Sequence, residues 1–346
     1  MMDLVNQDTT IRDDLKDAYL KNRLTPLDYH LTPEPSGKEI DLPKSQNINL
    51  TDNKQESKWT VGYLTQTSIL FQRNLLLTFK AQFSKLNCVQ ALSLSIMCGL
   101  IWLRMDVSER TIRDRASLIF FMLIFWPLEM TFAGILSFQN ERSIIQKERA
   151  TGSFQLSTYY LSKCLSETPL KLVLPTFSFT IVYWMGNMNS NFGIFIAMLI
   201  FVLMCVLIAE SLGLLFGALF GSIGRAWVAG NVILLGLLLI GGYFVENIPY
   251  WLSVWIKWIS FYKYAYDATI QLEFMGDRVF QCVSGAVIEV CENNLNGTFT
   301  GKDVLAYFKP DLSIGLNFLV LAGMFIVFRI AVYIILRFVK HNDGRI

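Results

Sequence analysis

The stretch that decides the fold class is FGIFIAMLIFVLMCVLIAESLGLLFGALF, residues 192–220, in which Glu210 is the only charged side chain. Its 29 residues are more than the roughly 20 that an α-helix needs to cross the hydrocarbon core of a bilayer. Inside that core every backbone amide needs an internal partner, so a single apolar run of this length has to be helical. The stretch therefore predicts a transmembrane helix, long enough to tilt or to include an interfacial end.

Five further runs have the same character: residues 86–103, 116–138, 165–184, 227–245 and 314–338. The composition agrees, because 53% of the chain is hydrophobic and only 17% is charged, whereas soluble domains carry about 25% charged residues. No pattern of short alternating strands, as in a membrane β-barrel, is present. The sequence predicts an all-α integral membrane protein in which residues 84–338 form a domain of six transmembrane helices.

The segments before the first apolar run are of two kinds. Residues 1–58 are polar and contain four of the nine prolines, as expected of an extended cytoplasmic linker followed by an uncleaved insertion signal. In residues 59–83, Trp59, Tyr63, Leu70 and Leu77 recur at helical spacing. This segment is predicted to be an amphipathic connecting helix at the membrane surface, with a plain helical linker as the alternative.

The distribution of basic residues predicts that both termini, including the tail 339–346, are cytoplasmic. Basic residues follow the second run and close the chain, and the loop between the third and fourth runs has no charge. One loop disagrees, because it would place four arginines outside: Arg104, Arg110, Arg113 and Arg115. With cytoplasmic ends, residues 246–313 form a large outer loop between helices five and six, which begins with an aromatic re-entrant or interfacial element.

The outer loop also carries two sites of covalent modification. Cys282 and Cys291 are its only cysteines, and an oxidising compartment favours a disulfide between them, with free thiols or a bridge to a second subunit as alternatives. Asn296 begins an Asn-Gly-Thr acceptor for glycosylation.

Composition also argues against histidine-based sites and against nucleic-acid binding. The only histidines, His30 and His341, lie in the polar tails, so a histidine metal site and an intramembrane histidine relay are excluded. The formal net charge is only +2, so the sequence does not indicate a basic surface for binding nucleic acid.

Motifs after the second run carry a resemblance to a known family. The sequence reads NER at 140–142, KERATGSF at 147–154 and LSTYY at 156–160, and further on Leu174-Pro175, GGYFV at 241–245 and Glu273-Phe274. In this order the motifs resemble the membrane-spanning half of the G (White) subfamily of ABC transporters, from about residue 59 to residue 338.

The resemblance implies roles for three groups of residues. A coupling helix that rests on an ATPase domain would contain Glu141, Arg142, Glu148, Arg149 and Gly152, the alternative being a solvated turn that sets topology. Tyr243 and Phe244 would form a plug between inner and outer cavities, the alternative being aromatic residues at the interface. A central cavity at a dimer axis would be lined by spans two and five, through Phe125, Trp126, Glu129, Phe132, Leu235, Leu238 and Leu239. Lipid-facing or core packing is the alternative for each of these seven.

Charged residues within the runs are costly and call for partners. Glu129 is either a polar substrate contact or a proton-linked site, or is hydrogen-bonded to a neighbouring helix. Glu210 precedes the stripe Gly213-x-x-x-Gly217-x-x-x-Gly221, which favours close helix packing, and is interpreted as a protonated structural carboxyl. Arg329 is interpreted as structural, with its head snorkelling or paired.

The sequence has neither a G-x-x-x-x-G-K-[ST] motif nor a Leu-Ser-Gly-Gly signature. We therefore expect that this chain binds no cofactor, and that ATP and Mg are bound by a nucleotide-binding domain supplied in cis or by another chain. The predicted function is that of a transmembrane subunit of an ATP-driven exporter. It would work as a homo- or heterodimer, moving lipids, sterols or other hydrophobic molecules by alternating access in the plasma membrane or an intracellular membrane. A non-transporting subunit that regulates full half-transporters is the alternative; a passive channel or secondary carrier is a third class.

Overall fold

The structure is a computed structural model that describes residues 62–150, 155–244, 250–253, 255–276, 278–282, 291 and 297–338; the side chains at 140, 142–150 and 252–253 are not described. Ten helices are present in these residues: α1 Tyr63–Gln82, α2 Lys85–Ile101, α3 Arg110–Ala150, α4 Leu156–Met185, α5 Phe192–Leu219, α6 Ile223–Leu239, α7 Tyr250–Ser253, α8 Phe261–Glu273, α9 Gly301–Phe308 and α10 Ile314–Phe338. A 3-10 turn covers Ile256–Trp258, and two strands, β1 Val279–Gln281 and β2 Thr298–Thr300, pair antiparallel.

Three of these helices are long and apolar enough to cross a membrane: α5, α10 and the part of α3 from Arg110 to Gln139. The pair α1 and α2, bent by 54°, meets the same condition as one broken span. Helix α4 has the length but contains two prolines and three charged residues, and α6 has only 17 residues. The multi-pass helical architecture is therefore confirmed, whereas the count of six spans stays a prediction.

Helix α5 lies at the centre and packs tightly against α3. A β-carbon added to Gly213 would lie 2.1 Å from the Thr131 carbonyl oxygen, and one added to Gly217 would lie 3.1 Å from that of Ile135. The Thr131 hydroxyl donates a hydrogen bond to the Ala209 carbonyl at 2.9 Å across the same contact. Small residues thus let the two backbones touch, as the glycine stripe predicts; Gly221 takes no part because α5 ends at Leu219.

The fifth apolar run was predicted to continue to residue 245, and this boundary was wrong. Helix α6 ends at Leu239, and the chain then turns through Gly241 and Gly242. Gly242 has a φ of +91°, which side chains other than glycine adopt only at a cost. Because the turn replaces the last helical residues, Tyr243 and Phe244 lie beyond the helix.

The connecting helix is present as α1, and its location at the membrane surface stays a prediction. Its buried stripe contains Leu70 together with the polar residues Gln66 and Asn74, whereas Tyr63 and Leu77 are exposed. The Gln66 side-chain oxygen accepts hydrogen bonds from the Gln155 amide at 3.4 Å and the Thr158 hydroxyl at 3.5 Å, at the start of α4. Helix α1 therefore packs on α4 through polar contacts and turns apolar side chains outward, which is the order expected for a helix in contact with lipid.

The segment 246–313, predicted to be an outer loop, contains the buried helix α8. All but two of the residues of α8 are buried, and the helix packs against α5, α10 and α3. Beyond α8, Phe280 of β1 faces Phe299 of β2, and a disulfide joins Cys282 to Cys291 with 5.5 Å between their α-carbons. Asn296 lies outside the described residues.

Ion pairs hold the aromatic start of this segment on the bundle. The side chains of Tyr250, Trp251 and Trp255 are exposed, as expected for aromatic residues at the headgroup level. Asp311, just before α10, binds Lys257 of the 3-10 turn at 2.6 Å and Lys263 of α8 at 2.5 Å. Partial burial opposes ionisation of Asp311, but hydrogen bonds from the two lysines hold its pKa below the ordinary value.

We expect Gly213→Ala to separate α3 from α5 and to lower the apparent melting temperature by several degrees, because the added methyl group meets a backbone atom that cannot rotate away. The control is Gly323→Ala in α10, where an added β-carbon meets nothing within 4 Å. Melting is measured by size-exclusion chromatography with fluorescence detection. Equal melting temperatures for the two variants would show that the α3–α5 contact is not tight.

Candidate functional site

The most polar feature of the bundle is a series of alternating charges, here called the ion chain. Lys163 of α4 binds Glu141 and Glu167, each at 2.6 Å. Lys171 binds Glu167 and Glu210, each at 2.7 Å, and Arg329 of α10 binds Glu210 at 2.5 Å. Three acidic and three basic side chains thus alternate along one path through α3, α4, α5 and α10: Glu141, Lys163, Glu167, Lys171, Glu210 and Arg329.

Local sequence explains how α4 supplies the middle of the ion chain. Lys163, Glu167 and Lys171 recur every four residues, so they lie on one face of the helix. Five of the six ion-chain side chains are nearly buried, Glu141 being the exception at 34% exposed. Buried charges are tolerated when each is paired and hydrogen-bonded, and here every acid contacts at least one base.

The ion chain corrects the interpretation of the charges within the apolar runs. Glu210 is bonded to neighbouring helices, as a structural carboxyl would be, but its partners are the two bases Lys171 and Arg329. Arg329 is paired, as one of its two alternatives predicted. Glu167 and Lys171 fall within the third run and were overlooked, although their four-residue spacing with opposite charge is the signal that identifies them.

One end of the ion chain reaches the segment predicted to be the coupling helix. The Tyr159 hydroxyl donates a hydrogen bond to Glu141, and Tyr159 is fully buried. Helix α3 continues past Glu141 to Ala150, so the backbone at Arg142, Glu148 and Arg149 is helical. The side chains of these three residues, and all of Gly152, lie outside the described residues.

A second buried ion pair lies at the opposite end of α3. Arg115 binds Glu273 of α8 at 2.9 Å, and both side chains are fully buried. Glu273 also accepts from Arg278 at 3.2 Å and from the Asn189 amide at 3.1 Å. Because Arg115 is neutralised inside the protein, it is not a free loop charge, which removes one of the four arginines that opposed the predicted topology. Sequence reasoning missed this pair, although it singled out Glu273-Phe274 as a motif.

The predicted cavity residues divide into two sets. Phe125, Glu129 and Phe132 share one face of α3, and the Phe132 ring stacks on Trp227 of α6 with 3.8 Å between centroids. Trp126 and Leu238 point the other way and are buried in the core. The less buried set, here called the cavity face, consists of the half-buried Phe125 and Phe132 and the exposed Glu129, Trp227, Leu235 and Leu239. Trp227 was not predicted, because its contact with Phe132 joins two helices distant in sequence.

The predicted plug residues join a cluster of rings near the Arg115 end of α3. Tyr243 stacks on Phe120 with 4.2 Å between ring centroids, and its hydroxyl is 2.6 Å from the Ser117 hydroxyl. Phe244, which is exposed, meets Phe120 edge-on at 5.2 Å. Tyr266 of α8 closes the cluster against Phe120 and Tyr243. The turn after α6 is thereby fastened to α3 and α8.

These features define a polytopic helical membrane protein with ion pairs running inside its bundle. Residues 65–274 match the family described as ABC-2 type transporter, and the chain belongs to that family.

The chain is 30% identical over 341 residues to ABC transporter G family member 21 of Arabidopsis thaliana, covering 97% of this chain and 47% of the relative. It is 33% identical over 276 residues to member 14 of the same plant, covering 80% of this chain and 41% of the relative. ABC transporter G family member 1 of Dictyostelium discoideum is 26% identical over 305 residues, covering 85% of this chain and 37% of the relative. The chain thus spans less than half the length of these relatives.

Breaking the Arg115–Glu273 pair is expected to destabilise the fold. Arg115→Met leaves a buried carboxylate without its main partner, a loss of about 3 to 5 kcal/mol for pairs of this kind. We expect a clearly lower melting temperature and reduced yield of monodisperse protein. Arg113→Met is the matched control, because Arg113 lies on the same helix but is exposed. A normal melting temperature for Arg115→Met would contradict the role of the pair.

Proposed function

We propose that this chain is the transmembrane subunit of an ATP-driven exporter of the G subfamily, and that it moves lipids, sterols or other amphipathic molecules. The observation that carries the proposal is the ion chain, which begins beside the coupling segment and ends on α5 and α10. Relatives named ABC transporter G family members support the class of transport. ATP and Mg are bound by a nucleotide-binding domain, in cis or in trans.

The proposed arrangement has six spans, formed by α2, α3, α4, α5, α6 and α10. The Glu141 end of α3 is cytoplasmic, together with both termini, and residues 246–313 are on the outer side. The membrane is the plasma membrane. Burial of Arg115 and the basic residues beyond Glu141 support this orientation.

In the proposed mechanism, short ion pairs transmit the movement of the ATPase domains to the membrane helices. Closure of two ATPase domains displaces the segment after Gln139, and Glu141 passes the displacement to Lys163 through a 2.6 Å contact. Helix α4 then acts on α5 through Lys171 and Glu210. Because α3 and α5 touch backbone to backbone, the displacement is not absorbed by side-chain rotation.

Alternating access requires a second subunit. The cavity face is uncovered in one chain, and a second G-subfamily half-transporter, identical or different, supplies the opposite wall. The ring cluster at Tyr243 is the outer gate of this cavity. Since Ser117 and Phe120 belong to α3, a displacement that starts at Glu141 reaches the gate along the same helix.

Glu141→Gln tests the coupling step. We expect ATP-dependent transport to fall about tenfold or more, because a charge-assisted contact of roughly 1.5 to 3 kcal/mol is lost, while the ATPase-bearing partner still co-purifies. Arg225→Gln is the control, since Arg225 is exposed and outside the ion chain. The measurement is uptake of fluorescent sterol and lipid analogues into inside-out vesicles from cells that also express a full-length G-family partner.

Undiminished uptake by Glu141→Gln would disprove the coupling role. Loss of uptake on adding the wild-type chain would instead favour a regulatory subunit.

Tyr243→Phe tests the gate. It removes the hydroxyl that bonds Ser117 but keeps the ring, so we expect passive leak of substrate analogue to rise a few-fold without ATP. Ser117→Ala is expected to have the same effect, and the double variant no larger one, because both remove a single hydrogen bond. Tyr307→Phe, at an exposed tyrosine of α9, is the control. Additive effects in the double variant would show that the hydrogen bond is not what holds the gate.

A further inference from the structure

Glu129 is an exposed carboxylate at the middle of a membrane-spanning helix. It precedes Gln139, the end of the apolar part of α3, by ten residues. At a rise of about 1.5 Å per residue it lies roughly 15 Å from that end, half of a hydrocarbon core of about 30 Å. A carboxylate at this depth is costly against lipid and is expected to face protein, water or a ligand.

No cation among the described residues pairs with Glu129. Among the described residues no hydrogen-bond donor and no basic group contacts its carboxylate. The described basic side chains deep in the bundle, Lys171 and Arg329, are already paired with Glu167 and Glu210. Among the described residues, a second copy of the chain would therefore bring no free cation to this level, which leaves the carboxylate available to a cation supplied by a ligand.

The surroundings of Glu129 suit an organic cation. Phe125 and Phe132 lie four residues before and three residues after it on the same face of α3, and Phe132 stacks on Trp227. Aromatic faces attract cations, and aromatic rings around a quaternary ammonium group are a recurrent way to bind one. A neutral sterol would fill the apolar part of this face but leave the carboxylate unpaired.

We propose that the cavity face selects amphipathic cations, in which a positive nitrogen or phosphorus centre is surrounded by apolar groups, and that Glu129 is the residue that determines this specificity. The inference rests on the proposed function, because it assigns a substrate class to the proposed cavity. In this arrangement the carboxylate neutralises the cation while the rings of Phe125, Phe132 and Trp227 contact its apolar groups.

The test uses two probes of nearly equal size and opposite charge, tetraphenylphosphonium and tetraphenylborate. Their saturable binding is measured by equilibrium dialysis on the chain, in complex with an ATPase-bearing partner, in nanodiscs of phosphatidylcholine. We expect saturable binding of the cation alone, and about a tenfold weaker affinity in Glu129→Gln, because one charge–charge attraction in a site of reduced dielectric is lost. Asp114→Asn, an exposed carboxylate on the same helix, serves as the matched control and is expected to bind as the wild type does.

Each outcome decides the proposal. Equal affinity of tetraphenylphosphonium for wild type and Glu129→Gln overturns it, as does saturable binding of tetraphenylborate to the wild type. If Glu129→Gln is not monodisperse, Glu129→Leu, which also removes the charge, replaces it, and the two-probe comparison on the wild type is measured as well. ATP-dependent flux of a neutral sterol without any binding of the cation overturns this inference and leaves the exporter in place. Binding of the cation through Glu129 without ATP-dependent flux of any probe supports the proposed cation site and overturns the proposed exporter function.

Discussion

The pairing of buried charge is the constraint on which the rest of this structure depends. Helix α4 carries Lys163, Glu167 and Lys171 in an otherwise apolar bundle, and unpaired charges there would cost several kcal/mol each. Their partners on other helices are Glu141 on α3 and Glu210 on α5, and Glu210 in turn binds Arg329 on α10. Satisfying these charges therefore fixes how four helices are placed relative to one another, which nondirectional apolar contacts alone do not do.

The same pairing makes the bundle suited to transmitting movement. A side chain held by two ion pairs cannot change rotamer without losing one of them, so a displacement of one member is passed to the next. At the other end of α3, Arg115 and Glu273 fasten the helix to α8, and the ring of Tyr243 packs on Phe120. Helix α3 is thus held by ionic contacts near both ends and by close backbone contact with α5 in between.

How much of this could be read from the sequence depends on the range of each interaction. Uninterrupted apolar runs determine α5 and α10 to within one residue, because hydrophobicity acts locally. The end of α6 was misplaced because a backbone turn at Gly242 outweighs apolar residues that follow it. Helix α8 was overlooked because its burial comes from α5 and α10, distant in sequence. On α3, Trp126 is buried in the core while its neighbour Phe125 is only half-buried, since successive residues differ by about 100° around a helix axis. Ion partners such as Glu210 and Arg329 are more than a hundred residues apart, so spacing rules cannot pair them.

Two glutamates at nearly the same height in the bundle, Glu129 and Glu210, have different surroundings. Thr131 contacts Ala209, so Glu129 and Glu210 lie at similar heights on neighbouring helices. Glu210 is neutralised by two bases of its own chain, and a change there breaks the ion chain. Glu129 takes part in no described ion pair, so a change there alters the charge of the cavity face without removing a contact that holds the helices. In the proposed exporter, substrate preference can therefore change by substitution at the cavity face while the ion chain, which tolerates no unpaired member, stays intact.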